Sequence, residues 1–294
     1  MSNKIKIILS LVMVLSLAGI ASAVDHTYTH SSGTGNWTDA ATWVTTETVL
    51  FPTWNGDYTN PIDAVINGGV VNVTGSGQQG AGRCFLRSGA VVNVSGTGVD
   101  RDFNIGLNLT LSDVPGDSTL NVTGSGTIAY CEQLQLGSVA NGSGTINIGD
   151  GATLMHGGWG TLVGMAGTGT INMTGTGSMF LWDGNNGKIV MNGNGHINLE
   201  AGKIQQLDNA TGSVGHLVAI YQGYVNNGWI TGYNGTGAVN VTNDGTWTYV
   251  TASNCVMKSD FNHDCYVDFK DFAVFAQAWL TCYEPQDPEC TYIP

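Results

Sequence analysis

Near the C-terminus, the run Asp260-Phe261-Asn262-His263-Asp264-Cys265-Tyr266-Val267-Asp268-Phe269-Lys270-Asp271 places oxygen-bearing side chains at alternate positions and then at wider intervals. A hard cation such as calcium takes about six to eight oxygen ligands, and this spacing wraps them round one point. Asp260, Asn262, Asp264, Asp268 and Asp271 would contribute side chains, and Tyr266 its backbone carbonyl. Four carboxylates this close repel one another unless a cation lies between them. Val267 is expected to face a small core. Phe269, Phe272, Ala273, Ala276, Trp279 and Leu280 recur at helical spacing, so an amphipathic helix should follow the loop.

Other chemistry is sparse. The histidines, His26, His30, His156, His196, His216 and His263, show no metal-ligand spacing with one another. A polysaccharide lyase needs a base and cationic side chains for a uronate carboxylate, and the body offers only Arg83, Arg87, Arg101, Lys188 and Lys203, in no motif. A glycoside hydrolase needs two carboxylates about 5–10 Å apart. Asp100 with Asp102, Asp113 with Asp117, and Asp183 are the loosely plausible acids. No catalytic residue is assigned on this basis, and no organic cofactor is expected.

Composition narrows the function classes. Nine Lys plus Arg stand against 22 Asp plus Glu, a formal charge of −13, which argues against nucleic-acid partners. Glycine accounts for 43 of 294 residues, about twice the ordinary share, which argues against a helical protein. Residues 1–23 have Lys4 and Lys6, an apolar run from Ile7 to Ala21, and Ala21-Ser22-Ala23 at the end. This reads as a cleavable signal peptide, too short in its apolar part to span a membrane. The mature chain is therefore expected outside the cell, secreted or at the cell surface, with no transmembrane segment. Export makes cysteines candidates for disulfides. Cys255, Cys265, Cys282 and Cys290 crowd the tail, with their pairing left open, while Cys84 and Cys131 in the body are expected to be buried thiols.

The loop must be carried by something, and the preceding residues supply a repeat. Val71-Asn72-Val73, Val92-Asn93-Val94, Leu120-Asn121-Val122, Ile146-Asn147-Ile148, Ile171-Asn172-Met173 and Ile197-Asn198-Leu199 recur with their asparagines 21, 28, 26, 25 and 26 residues apart. Gly-rich turns follow these phrases, and a second apolar phrase such as Leu134-Gln135-Leu136 lies between copies. A period near 25 residues with at least two short strands suits one coil of a β-solenoid. Alternation along a strand turns the aliphatic residues inward and the asparagines outward, with neighbours such as Thr119, Thr123, Thr145, Thr170 and Thr174. The expected fold is all-β: a right-handed parallel β-helix over 63–250, about seven coils and about 35 Å long, with an antiparallel sandwich as the alternative. Residues 24–62, carrying Trp37, Trp43 and Trp54, are expected to form an N-terminal β cap, and 255–294 a small calcium-loop and helix module. The uncharged Thr/Asn face is a candidate surface for a polysaccharide.

Two resemblances extend this reading. Asn36-Trp37-Thr38-Asp39-Ala40-Ala41-Thr42-Trp43, followed by Pro61-Ile62-Asp63-Ala64-Val65-Ile66-Asn67-Gly68-Gly69, resembles the opening of β-helical passenger segments of secreted bacterial surface proteins, of the autotransporter-associated strand-repeat type, in style over residues 33–205. The tail resembles a dockerin repeat, ending its loop in Asp as that family does; Cys265 stands where the family has Gly, and one loop is visible where it has two. The second resemblance implies a cohesin-like protein partner. The resulting expectation is a non-catalytic secreted β-solenoid acting as a surface, adhesion or scaffold element, attached or stabilised through the calcium-binding tail. The alternative is a carbohydrate-active protein, either a polysaccharide-binding module or a lyase or hydrolase, assembled through the same tail.

Overall fold

The computed structural model describes residues 26–47, 51–53, 56, 58, 61–75, 79–96, 101–182, 188–208, 215–254, 259, 261 and 267–281. The repeated phrases form the strands Val70–Gly75, Ala90–Gly96, Gly116–Thr123, Gly142–Ile148, Thr168–Met173 and Gly195–Leu199. The aliphatic residues flanking each asparagine, from Val71 and Val73 to Ile197 and Leu199, are at most 1% exposed. Burial of these methyl-rich side chains contributes about 1.5–3 kcal/mol each, and it fixes the register, because a slip of one residue would turn every one of them to water. Pairing is parallel and in step. Asn72, Asn93, Asn121, Asn147, Asn172 and Asn198 each lie opposite the next. Parallel neighbours a full period apart require the chain to coil, and the body is a parallel β-solenoid of about five turns. The antiparallel sandwich is excluded.

The remaining strands form one 13-stranded sheet that is, in register, two ladders sharing long strands. Phe103–Leu111 and Ile128–Leu136 pair through Phe103 with Ala129 in one ladder and through Leu109 with Leu134 in the other, with a register shift between Cys131 and Gln133. In the next turn the same course is split into Thr153–His156 and Thr161–Val163, each stacked on its half of Ile128–Leu136. Such a turn therefore supplies three short runs. Close stacking at the corners explains part of the glycine content. A Cβ on Gly202 would lie 1.7 Å from the Gly177 carbonyl oxygen, and one on Gly177 would lie 2.2 Å from that of Ile148.

The segment expected as the N-terminal β cap supplies a rung of each sheet: Thr27–His30 pairs with Asp63–Ile66, and Thr34–Asn36 pairs with Val70–Asn72, which sets Asn36 opposite Asn72. The capping itself is done by aromatic side chains. Trp37 is fully buried and lies 5.0 Å from Trp43 and 5.1 Å from Phe103, centroid to centroid. The Trp37 Nε1 donates to the Pro52 carbonyl at 2.9 Å and the Trp43 Nε1 to that of Trp37 at 2.8 Å, so neither indole buries an unmet donor.

At the other end, coiling stops at Leu207 instead of continuing to Val250. Helix α1, His216–Asn226, buries Leu217 and Tyr221, and the hairpin Ala238–Asn243 with Trp247–Ser253 lies antiparallel on Lys203–Leu207. Ile230–Gly232 adds one more parallel rung beside Ile197–Leu199. The change of direction ends the ladder in place of an open parallel edge, a template for unwanted pairing.

One buried carboxylate ties these pieces together. Asp208, fully buried, accepts hydrogen bonds from the Nδ1 of His216 at 2.7 Å, the backbone N–H of Leu217 at 3.3 Å, the Thr248 hydroxyl at 2.7 Å and the Asn243 amide at 3.2 Å. It joins the end of the last coil, the first turn of α1 and both strands of the hairpin.

Candidate functional site

The predicted calcium loop falls largely outside the described residues. Asp260, Asn262, Asp264 and Tyr266, the cysteines of the tail and residues 1–23 all lie there. Asp268 and Asp271 are described and set the start of helix α2, Phe269–Thr281. The Asp268 Oδ1 accepts the N–H of Lys270 at 2.7 Å, and the Asp271 Oδ2 accepts that of Asp268 at 2.8 Å, a reciprocal cap at the positive end of the helix dipole. Asp271 is 2% exposed. Val267, expected to face a small core, is 54% exposed, and Phe269 and Phe272 are 90% and 63% exposed, while Phe275 lies 5.4 Å from Phe261 and 6.4 Å from Phe272, ring to ring. Among the described residues no three His, Cys, Asp or Glu side chains gather as metal ligands.

Of the loosely plausible acids of the body, Asp102 and Asp113 are held in structural contacts and Asp117 is exposed, while Asp100 and Asp183 lie outside the described residues. Asp102 is 2% exposed, and its Oδ2 accepts the N–H of Ile128 at 2.9 Å, a rung-to-rung tie. Asp113 forms a two-pronged pair with Arg87 at 2.6 and 2.5 Å, and this hydrogen bond raises the Arg87 pKa further. Asp63 binds Arg83 through two bonds of 2.7 Å. Arg101 stacks its guanidinium 3.5 Å from the centroid of Tyr130, whose hydroxyl donates to Glu132. Burial and the Glu132 carboxylate push the Tyr130 hydroxyl well above its ordinary pKa. The arginines of the body are thereby tied to particular side chains.

The Thr/Asn face is formed as the alternation predicted. Its asparagines make a ladder: Asn93 donates from Nδ2 to the Asn72 Oδ1 at 3.0 Å, Asn121 to Asn93 at 2.8 Å, Asn147 to Asn121 at 2.8 Å and Asn172 to Asn147 at 2.9 Å. Each interior amide makes two such bonds, each contributing about 1 kcal/mol net, so the asparagines hold the turns together. Asn198 ends the row by accepting the backbone N–H of Asn234 at 2.7 Å. Free hydroxyl-bearing groups on this side are those of exposed residues such as Thr123 and Thr174.

A cluster that sequence reasoning missed lies on another side. Phe180 points outward from Ser178–Leu181, next to Trp182, which is 60% exposed. Trp247, from the antiparallel hairpin, closes a triangle of rings: Phe180 to Trp182 is 5.5 Å, Phe180 to Trp247 5.2 Å and Trp182 to Trp247 6.0 Å. Tyr249 flanks them, two residues on. Its hydroxyl donates to Asp244 at 2.9 Å, and the Lys203 ammonium lies 5.6 Å from its ring centroid while bonding Gln205 at 2.8 Å. Backbone N–H groups of Trp247 and Thr246, with the Tyr249 hydroxyl, hold the Asp244 carboxyl below the usual range, and the same carboxylate raises the Tyr249 pKa.

Cys84 and Cys131 are buried free thiols in different ladders, Cys84 opposite Ala64 and Leu109, Cys131 opposite Ile105 and His156, and burial pushes both thiols up. Among the described residues no helix is long and apolar enough to cross a membrane. Compared with known proteins, the chain matches no family model, no curated protein and no solved structure.

Proposed function

We propose that the protein is a secreted, non-catalytic β-solenoid serving as a surface, adhesion or scaffold element, with residues 255–294 as a calcium-binding attachment module. The observation that carries this reading is the asparagine ladder, which binds successive turns into one wall without a charged side chain among its amides. A side whose polar groups are satisfied by one another suits a stiff spacer rather than a reaction centre, and the ion pairs of Arg83 and Arg87 occupy cations that a lyase would need. In the tail, calcium would neutralise Asp260, Asp264, Asp268 and Asp271 and draw the loop together. The exposed Phe269 and Phe272 of α2 suit a protein partner, of cohesin-like type if the tail's resemblance to a dockerin repeat extends to its partner. The exposed threonines of the ladder side remain the proposed polysaccharide contact of that face.

The test is chemical. Mature protein, residues 24–294, incubated with pectin, alginate and xylan should release no new reducing or unsaturated ends. Products that disappear in Arg101→Ala or Asp102→Asn variants would overturn the non-catalytic reading.

A further inference from the structure

We infer that Phe180, Trp182, Trp247 and Tyr249 form a binding platform for an uncharged polysaccharide chain. The pyranose ring presents a face of C–H groups edged by hydroxyls, and an aromatic ring with polar groups at its margin matches both parts. Here Trp182 is open to solvent and backed by two neighbours within 6.0 Å. At the Tyr249 end of the cluster, the Lys203 ammonium, the Gln205 amide, the Tyr249 hydroxyl and the Asp244 carboxylate supply donors and acceptors.

The platform is also extended. Met155, Phe180, Gln205 and Tyr249 lie opposite one another in succession along the solenoid, three steps of about 4.8 Å, or about 14 Å of partly exposed side chains. A stripe of that length fits several consecutive sugars of one polymer better than a single small molecule.

Charge selects the occupant. The chain carries −13 overall, yet among the described residues the charged groups beside this stripe are of opposite sign, Lys203 and Asp244 about Tyr249. A balanced stripe offers no net attraction to a polyanion such as polygalacturonate or to a basic protein, and it imposes little charge penalty on a neutral glycan. The Asp244 carboxylate is already fixed by two backbone N–H groups and the Tyr249 hydroxyl, so the border is preorganised before a ligand arrives.

The experiment is affinity electrophoresis and pull-down of the mature protein on cellulose, chitin, xyloglucan and mannan, with polygalacturonate as the anionic control. At least one neutral polymer should retain the protein, and Trp182→Ala should weaken retention about tenfold or more. Trp182 is exposed, so its loss should not unfold the chain; Tyr249→Ala serves as a second platform variant, and Thr174→Ala tests the ladder side separately, so that retention through either face is distinguished. Tryptophan emission of the unsubstituted protein should shift on adding an oligosaccharide of the retaining polymer. Retention by none of the neutral polymers, retention unchanged in both platform variants, or retention lost with Thr174→Ala alone would overturn the assignment. So would sedimentation showing a dimer abolished by Trp182→Ala without any glycan retention, which would make a second copy of the chain the occupant.

Discussion

Replacing Asp208 by alanine should release the C-terminal end of the solenoid while the turns before it stay folded. The carboxylate is fully buried and accepts four hydrogen bonds, from His216, Leu217, Asn243 and Thr248. Its removal leaves these donors without their acceptor, and breaking a buried, charge-assisted network of this kind costs about 3–5 kcal/mol. In a stacked fold each turn contacts only its neighbours, so the loss is local rather than global. Hydrogen exchange should show residues 216–253 losing protection, with the strands from Val70 to Met173 unchanged. Equal protection in the variant and the parent would show that burial of Leu217 and Tyr221 holds the end unaided. Asp208→Asn should lie between the two, because the amide keeps one acceptor oxygen.

The second large effect is expected from calcium. If the loop holds the ion as proposed, ligand at a hundred times its dissociation constant stabilises the tail by about 2.7 kcal/mol, enough to decide whether so short a segment is ordered. Chelation should therefore abolish the protection of the helix Phe269–Thr281 and leave the solenoid transition where it was, because the ladder contacts do not involve the loop. Asp260→Ala should reproduce the chelated state at any calcium concentration. An unchanged helix after chelation would mean that the reciprocal cap of Asp268 and Asp271 is sufficient by itself, and that the spacing of oxygens has no ligand to serve.

The body was legible because one residue marked every turn. Asn72 through Asn198 recur within a narrow period with aliphatic residues on both sides, and alternation then gives facing, register and burial together. Where the marker lost its flanks, legibility failed. Gly35-Asn36-Trp37 belongs to the same column but has no aliphatic neighbours, and Ile230-Thr231-Gly232 continues the wall without an asparagine. Helix α1 was hidden by Gly223 and its β-branched residues, although Leu217, Ile220, Tyr221 and Tyr224 keep helical spacing. Counting coils to Val250 therefore ran past the real end of the stack. The aromatic platform had no local signal at all. Phe180-Leu181-Trp182 and Trp247-Thr248-Tyr249 each read as an ordinary alternating strand, and only the antiparallel return of the hairpin brings them side by side. For the acids the reverse held: Asp102 and Asp113 look available in sequence, and the fold uses them to tie Ile128 and Arg87 in place.

The central claim, an exported rod held at its place of work through a calcium-dependent tail, is tested most directly by fractionating cells that make the full chain, with and without a chelator. The account predicts a mature N-terminus at Val24, protein outside the cytoplasm and attached to the cell surface or its assemblies, and release of the intact solenoid into the medium when calcium is removed. An uncleaved chain retained in the cytoplasm, or surface attachment indifferent to both the chelator and Asp260→Ala, would contradict it.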